Sequence, residues 1–189
     1  MQLKTYNEKG EITVKKNVLT CANEFHAINE LALKGEIVIF GSTYLAEFPF
    51  YELVNRACLE NAVYNRSIAG ITLKEAAEVM TECVLELQPQ TVVLHLGEED
   101  EDTEENAALY EKMVIKLRAA LPSARLLLVT VSKGALAVNE RIDALCDEKT
   151  VHKIQFLEGS STESRFRRMS AFFRNHPITF SEAFAIASL

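Results

Sequence analysis

Short, wholly apolar runs alternate along this chain with longer segments of helical periodicity, and that alternation constrains the fold more than any other feature. Residues 37–40 are four apolar residues in succession, bracketed by Gly35 and Gly41. Residues 91–96 and 125–131 are similar, with unbroken apolar runs at 92–94 and 126–129. Runs of this length without polar alternation fit strands buried on both faces, the condition of a parallel sheet. Two weaker strands are expected at 62–64 and 153–157. Between them lie helical patterns. Residues 22–33 carry Phe25, Ile28, Leu31 and Ala32 at helical spacing. Residues 72–87 carry Leu73, Ala76, Ala77, Met80, Val84 and Leu87, with a capping box at Thr72 and Glu75 and a stop at Pro89. Further helices are expected at 103–121, ending at Pro122, at 139–147 with Ile142, Leu145 and Cys146 inward, and at 178–189. Strands separated by helices predict an α/β protein, a three-layer α/β/α sandwich around a five-stranded parallel sheet. Residues 1–35 read as an N-terminal extension, a hairpin turning at Lys9 and Gly10 followed by a helix, packed on residues 36–189 as one folded unit.

At 189 residues the chain suits one domain with a sizeable core. Its net charge of −7 is local, because residues 98–105 hold seven acids in eight positions and the remainder is neutral. No basic stripe suggests nucleic acid. No stretch of 18 apolar residues suggests a membrane span, and the first residues lack the apolar centre of a signal peptide. Cys21, Cys58, Cys83 and Cys146 are scattered, without a Cys-x-x-Cys pair, and read as free thiols of a cytoplasmic protein. The sequence carries no signal for an oligomeric state.

In open α/β sheets the ligand crevice lies beyond the carboxyl ends of the strands. Ser42 and Thr43, directly after the first strand, belong there. They either carry a nucleophile or simply cap a helix. The acids at 98–105 either form a solvated helix start, where they suit the macrodipole, or hold Mg²⁺ or Ca²⁺ through Glu98, Glu99 or Asp100. The spacing is not that of an EF-hand. His95 lies in a strand and is expected to be packed in the sheet; His26 and His152 carry no motif. Arg165, Arg167, Arg168 and Arg174 are expected to pair with the 98–105 acids, the alternative being an anionic ligand.

Four segments at the expected crevice carry a family resemblance: residues 40–49, 63–72, 94–100 and 175–177. Together, from about residue 36 onward, the chain resembles the SGNH/GDSL hydrolases, esterases and acylhydrolases with a flavodoxin-like topology. The family's Gly-Asp-Ser aligns with Gly41, Ser42 and Thr43, which places Thr43 at the nucleophile and Ser42 at the aspartate position. Its Asn-Arg-Gly-Ile-x-Gly resembles Asn65, Arg66, Ser67, Ile68, Ala69 and Gly70. The resemblance implies oxyanion positions at Gly70, Thr43 and Glu99, the last replacing an asparagine. Its Asp-x-x-His implies His176 as the base, with Phe173 where the orienting aspartate would stand. The expected function is hydrolysis of an ester or acetyl group on a small molecule, lipid or carbohydrate, with no cofactor and no metal. Catalysis is expected to be impaired or divergent. Ser42 is a spare nucleophile, and Thr43, Ser42 and His176 are the candidate catalytic residues. The alternative is an inactive descendant that binds an acylated ligand or a partner.

Overall fold

A computed structural model describes residues 14–57, 59–131 and 135–173. Five strands form one sheet: β1 (Ile37–Gly41), β2 (Val63–Asn65), β3 (Thr91–His95), β4 (Arg125–Val129) and β5 (Val151–Ile154). Their order is β2-β1-β3-β4-β5, and every pairing is parallel. The chain is therefore of the α/β class expected from the alternation. β1 and β3 are buried along their whole length, as their unbroken apolar runs require.

Alternate residues of these strands feed two separate cores. Val38, Phe40, Val92, Leu94, Leu126 and Leu128 face one core. It is shared with α1 (Lys16–Asn29), α4 (Leu73–Glu78), α5 (Met80–Cys83), α6 (Glu104–Ala120) and α7 (Leu136–Leu145). Ile37, Ile39, Val93, Leu127, Val129 and Ile154 face the other. There they meet α2 (Thr43–Ala46), α3 (Phe50–Ala57) and α8 (Thr162–Ser170). Two cores on opposite faces of one sheet are the three-layer arrangement.

Several element boundaries differ from the sequence expectation, each for a local reason. The helix expected at 22–33 is α1, which begins at Lys16 and ends at Asn29. Its inward face is Val18, Ala22, Phe25 and Asn29, while Leu31 is 89% exposed. It also occupies 16–20, where the hairpin was expected to end; the rest of that hairpin, 1–13, lies outside the described residues. The helix expected at 72–87 starts with the anticipated Thr72–Glu75 capping box but breaks into α4, α5 and a 3-10 turn at Leu85–Leu87. The breaks fall at Val79 and Val84, β-branched residues that stay buried as the chain turns. β5 runs from Val151 rather than 153. The Asp147 side chain accepts the backbone N–H groups of Lys149, Thr150 and Val151 at 2.7–2.8 Å and so turns the chain into the sheet early. α7 starts three residues before the expected 139. α8, capped by Ser161, was not anticipated, because an arginine-rich segment shows little apolar periodicity. The expected helix at 178–189 lies outside the described residues.

Phe173, aligned with the family's aspartate, belongs to the second core. It is 2% exposed and meets Phe166 edge-on, with ring centroids 6.4 Å apart. A carboxylate there would lose its hydration among Phe166, Met169 and Ile39. Phe173→Asp is therefore expected to destabilise the protein by about 3 kcal/mol or more. Urea unfolding checks this; a stability equal to wild type would show that the position tolerates the family's carboxylate.

Candidate active site

The pairing of β1 with β3 sets Gly41 beside His95. A Cβ on Gly41 would come within 2.7 Å of the His95 carbonyl oxygen and 3.0 Å of Leu45, so only glycine fits. The Ser42 N–H then donates to the same carbonyl at 3.1 Å, and the chain turns into α2. Ser42 stands at the N-cap position but makes no side-chain capping bond. It is completely buried, with its hydroxyl 3.3 Å from Glu99 Oε1. Thr43 is only half-buried. Its hydroxyl donates to Glu99 Oε1 at 2.5 Å and accepts the Gly70 N–H at 2.9 Å. Of the two hydroxyls, Thr43 is thus the one presented to the crevice.

The loop after β2 is tied to the β1 turn by backbone contacts. Arg66 N–H donates to Ile39 O at 2.8 Å and Ile68 N–H to Gly41 O at 3.0 Å. Asn65 donates to Leu45 O at 2.9 Å and accepts the Ser67 N–H at 3.0 Å. Gly70 has φ +73°, a left-handed conformation that suits glycine. Arg66 is turned away from the site. Its guanidinium forks onto Asn29 Oδ1 at 3.0 and 3.1 Å and lies over the Phe25 and Tyr64 rings. Sequence reasoning missed Lys15, whose Nζ donates to Gly70 O at 2.8 Å and pairs with Glu75 at 3.0 Å. A lysine 55 residues from Gly70 carries no local signal of this contact.

After β3 come Gly97 and three consecutive acids. Glu98 Oε1 accepts the Tyr44 N–H at 2.8 Å, and both Asp100 oxygens face the Leu73 N–H at 3.0 and 3.2 Å. Burial raises both carboxyls above their usual range; these N–H groups oppose the shift and the Glu99 charge adds to it. Glu99 is exposed and faces the two hydroxyls. Among the described residues no group of three His, Cys, Asp or Glu side chains converges as a metal-ligand set.

The rest of the acidic run is divided among other partners. Asp102 accepts the Ala137 N–H at 2.9 Å, and Thr103 caps α6. Glu104 pairs with Arg141, and Glu105 with Lys74 at 3.5 Å. The expected pairing of Arg165, Arg167 and Arg168 with these acids is therefore not made. Arg165 donates to the Tyr44 hydroxyl at 3.1 Å and lies over the Tyr44 and Phe156 rings. Arg167 pairs with Glu163, and Arg168 reaches Gln155 O. α8 thus directs Arg165 to Tyr44, next to Thr43, and Arg167 and Arg168 to residues of its own neighbourhood. Arg174 and His176, the expected base, lie outside the described residues.

His95 is packed in the sheet as anticipated, 4% exposed, with its ring 5.3 Å from that of Tyr44. Its Nδ1 is 3.9 Å from Glu98 Oε2, too far for a hydrogen bond. Burial pulls its pKa down to about 4 from an ordinary 6.5. Between those values the unfolded chain binds a proton that the folded chain refuses, so His95 makes stability fall as pH drops. The contribution lost between pH 7 and 5 is on the order of 2 kcal/mol. The raised carboxyls of Glu98 and Asp100 act in the opposite sense, so the contrast with a variant is the clean measurement. His95→Gln is expected to lose less stability than wild type over this range. Identical pH slopes in chemical denaturation would contradict a buried, neutral His95.

No family model matches the sequence, and no curated protein matches it. Solved structures do match in fold. A Bacteroides fragilis protein assigned as an acylhydrolase superposes with a TM-score of 0.60 at 14% identity, over 75% of this chain and 80% of that one. A GDSL-like lipase from Bacteroides thetaiotaomicron gives 0.58 at 15% identity, over 71% and 77%. A psychrotrophic esterase from a Pseudoalteromonas species gives 0.54 at 15% identity, over 80% and 92%. The chain has the fold of the GDSL-like lipases, acylhydrolases and esterases, with its hydroxyl pair at the carboxyl end of β1.

Proposed function

We propose that this chain is an esterase or acylhydrolase of low turnover. It acts on an ester or acetyl group of a small molecule, lipid or carbohydrate held where the turns after β1, β2 and β3 meet. The observation that carries this reading is the Thr43 hydroxyl, presented at the strand end with the Gly70 N–H on its oxygen at 2.9 Å. Thr43 Oγ1 attacks the acyl carbon, an acyl-threonine forms, and water releases the acid. The fold of the lipase and esterase structures supports this class of chemistry.

Two features keep the rate low. The threonine methyl restricts the side-chain torsion and crowds the approaching acyl group. At 99 a carboxylate stands in place of an amide, and an ionised carboxylate has no proton to donate to an oxyanion. Losing one such donor costs roughly 10²–10³ in rate.

Hydrolysis of p-nitrophenyl acetate by the purified chain tests the proposal. Thr43→Ala is expected to abolish turnover. Thr43→Ser is expected to raise kcat/KM by up to about tenfold, equivalent to about 1.4 kcal/mol. Turnover that survives both Thr43→Ala and Ser42→Ala would refute the mechanism. Binding of an acylated ligand without Thr43-dependent turnover would identify an inactive binding protein instead.

A further inference from the structure

We infer that Glu99 is the general base that takes the Thr43 proton, an inference that rests on the hydrolase reading above. Thr43 has one hydroxyl proton, and Glu99 Oε1 at 2.5 Å is its acceptor. The Gly70 N–H donates to the same oxygen, so Oγ1 remains hydrogen-bonded as its proton leaves. A carboxylate within hydrogen-bond reach of an attacking hydroxyl is the geometry that general-base catalysis requires. No described histidine hydrogen-bonds Thr43. His95 is buried against Tyr44, His26 pairs with Glu86, and His152 stacks on Phe172.

The neighbouring residues aim Glu99 at this task. Glu98 is held by the Tyr44 N–H and Asp100 by the Leu73 N–H, so the loop is fixed on both sides of Glu99. Its hydrogen bonds run to the Thr43 and Ser42 hydroxyls. Because the residue is exposed, its carboxylate is also open to a water molecule from the crevice.

In the first half-reaction the Thr43 O–H bond breaks and the proton moves to Glu99. Oγ1 bonds to the acyl carbon, and the carbonyl π electrons move onto oxygen. Glu99 is then neutral, so it no longer repels the oxyanion. On collapse the ester C–O bond breaks, and Glu99 returns the proton to the departing alkoxide. In the second half, Glu99 takes a proton from water, the hydroxyl oxygen attacks the acyl-threonine, and Thr43 Oγ1 recovers a proton as the acid leaves. Ester and water become acid and alcohol, with no other reactant.

The test compares wild type, Thr43→Ala, Glu99→Gln, Glu99→Asp and Glu101→Gln on p-nitrophenyl acetate, with folding checked by thermal unfolding. If Glu99 is the base, Glu99→Gln lowers kcat/KM by about 10² or more. Glu99→Asp, which keeps a carboxylate on a shorter stem, lowers it less. Glu101→Gln, an exposed acid in the same run, leaves turnover unchanged. The opposite result is equally readable, because the amide introduced by Glu99→Gln can donate to the oxyanion. Thr43-dependent turnover that is equal or faster in Glu99→Gln overturns the base role and leaves the hydrolase reading standing. Wild-type turnover no faster than Thr43→Ala refutes the hydrolase reading, and the base role with it. Should Glu99→Gln fail to fold, Glu99→Asp decides: a rate equal to wild type from a displaced carboxylate overturns the inference.

Discussion

The contact on which the site depends is the close pairing of Gly41 with His95 across β1 and β3. With no side chain at 41, the His95 carbonyl approaches closely enough to bind the Ser42 N–H. That bond ends β1 and starts the turn that presents Thr43. The same register brings the loop after β3, with Glu98, Glu99 and Asp100, alongside the loop after β1. The Ile68-to-Gly41 and Arg66-to-Ile39 backbone bonds then bring in the third loop and place the Gly70 N–H on Thr43. Three loops meet at one hydroxyl because three parallel strands end on the same side of the sheet.

The acidic run shows how tertiary contacts divide what composition presents as a block. Seven neighbouring acids suggest a solvated tract or a cation site. In the fold they are split up. Glu98, Asp100 and Asp102 accept backbone N–H groups from three different segments, and Glu104 and Glu105 pair with cations. Glu99 faces both hydroxyls of the Ser42 and Thr43 pair. Carboxylates bound to backbone N–H groups fasten loops, and here they fasten the loops that carry Thr43 and open α4 and α7.

The legible parts of this protein are those whose cause is local. Unbroken apolar runs marked β1, β3 and β4, because a strand buried on both faces has no polar side to show. The Thr72–Glu75 capping box was legible because its two partners are three residues apart. β5 was expected two residues too late because an Asp147 loop sets its start, and α8 was not anticipated because its arginine-rich segment shows little apolar periodicity. The apolar phase of α1 was misjudged because Leu31 lies past its end. The pairing of Arg165, Arg167 and Arg168 with distant acids was expected from charge alone. Charge gives attraction without reach: Arg167 and Arg168 found partners close in the chain, and Arg165 found the Tyr44 hydroxyl.

By itself the sequence determined the α/β class, the strand-end position of Ser42 and Thr43, and the glycine at 70, because these follow from apolar patterning and short motifs. The tertiary structure alone decided which hydroxyl is presented, what it touches and what fills the 173 position. Ser42 and Thr43 are adjacent and chemically alike, and only the turn at Gly41 buries one completely and leaves the other half-buried. Glu99 and Lys15 are separated from the residues they serve by 56 and 55 positions. Contacts over such separations are set by the register of parallel strands and the packing of two cores, which no local pattern encodes.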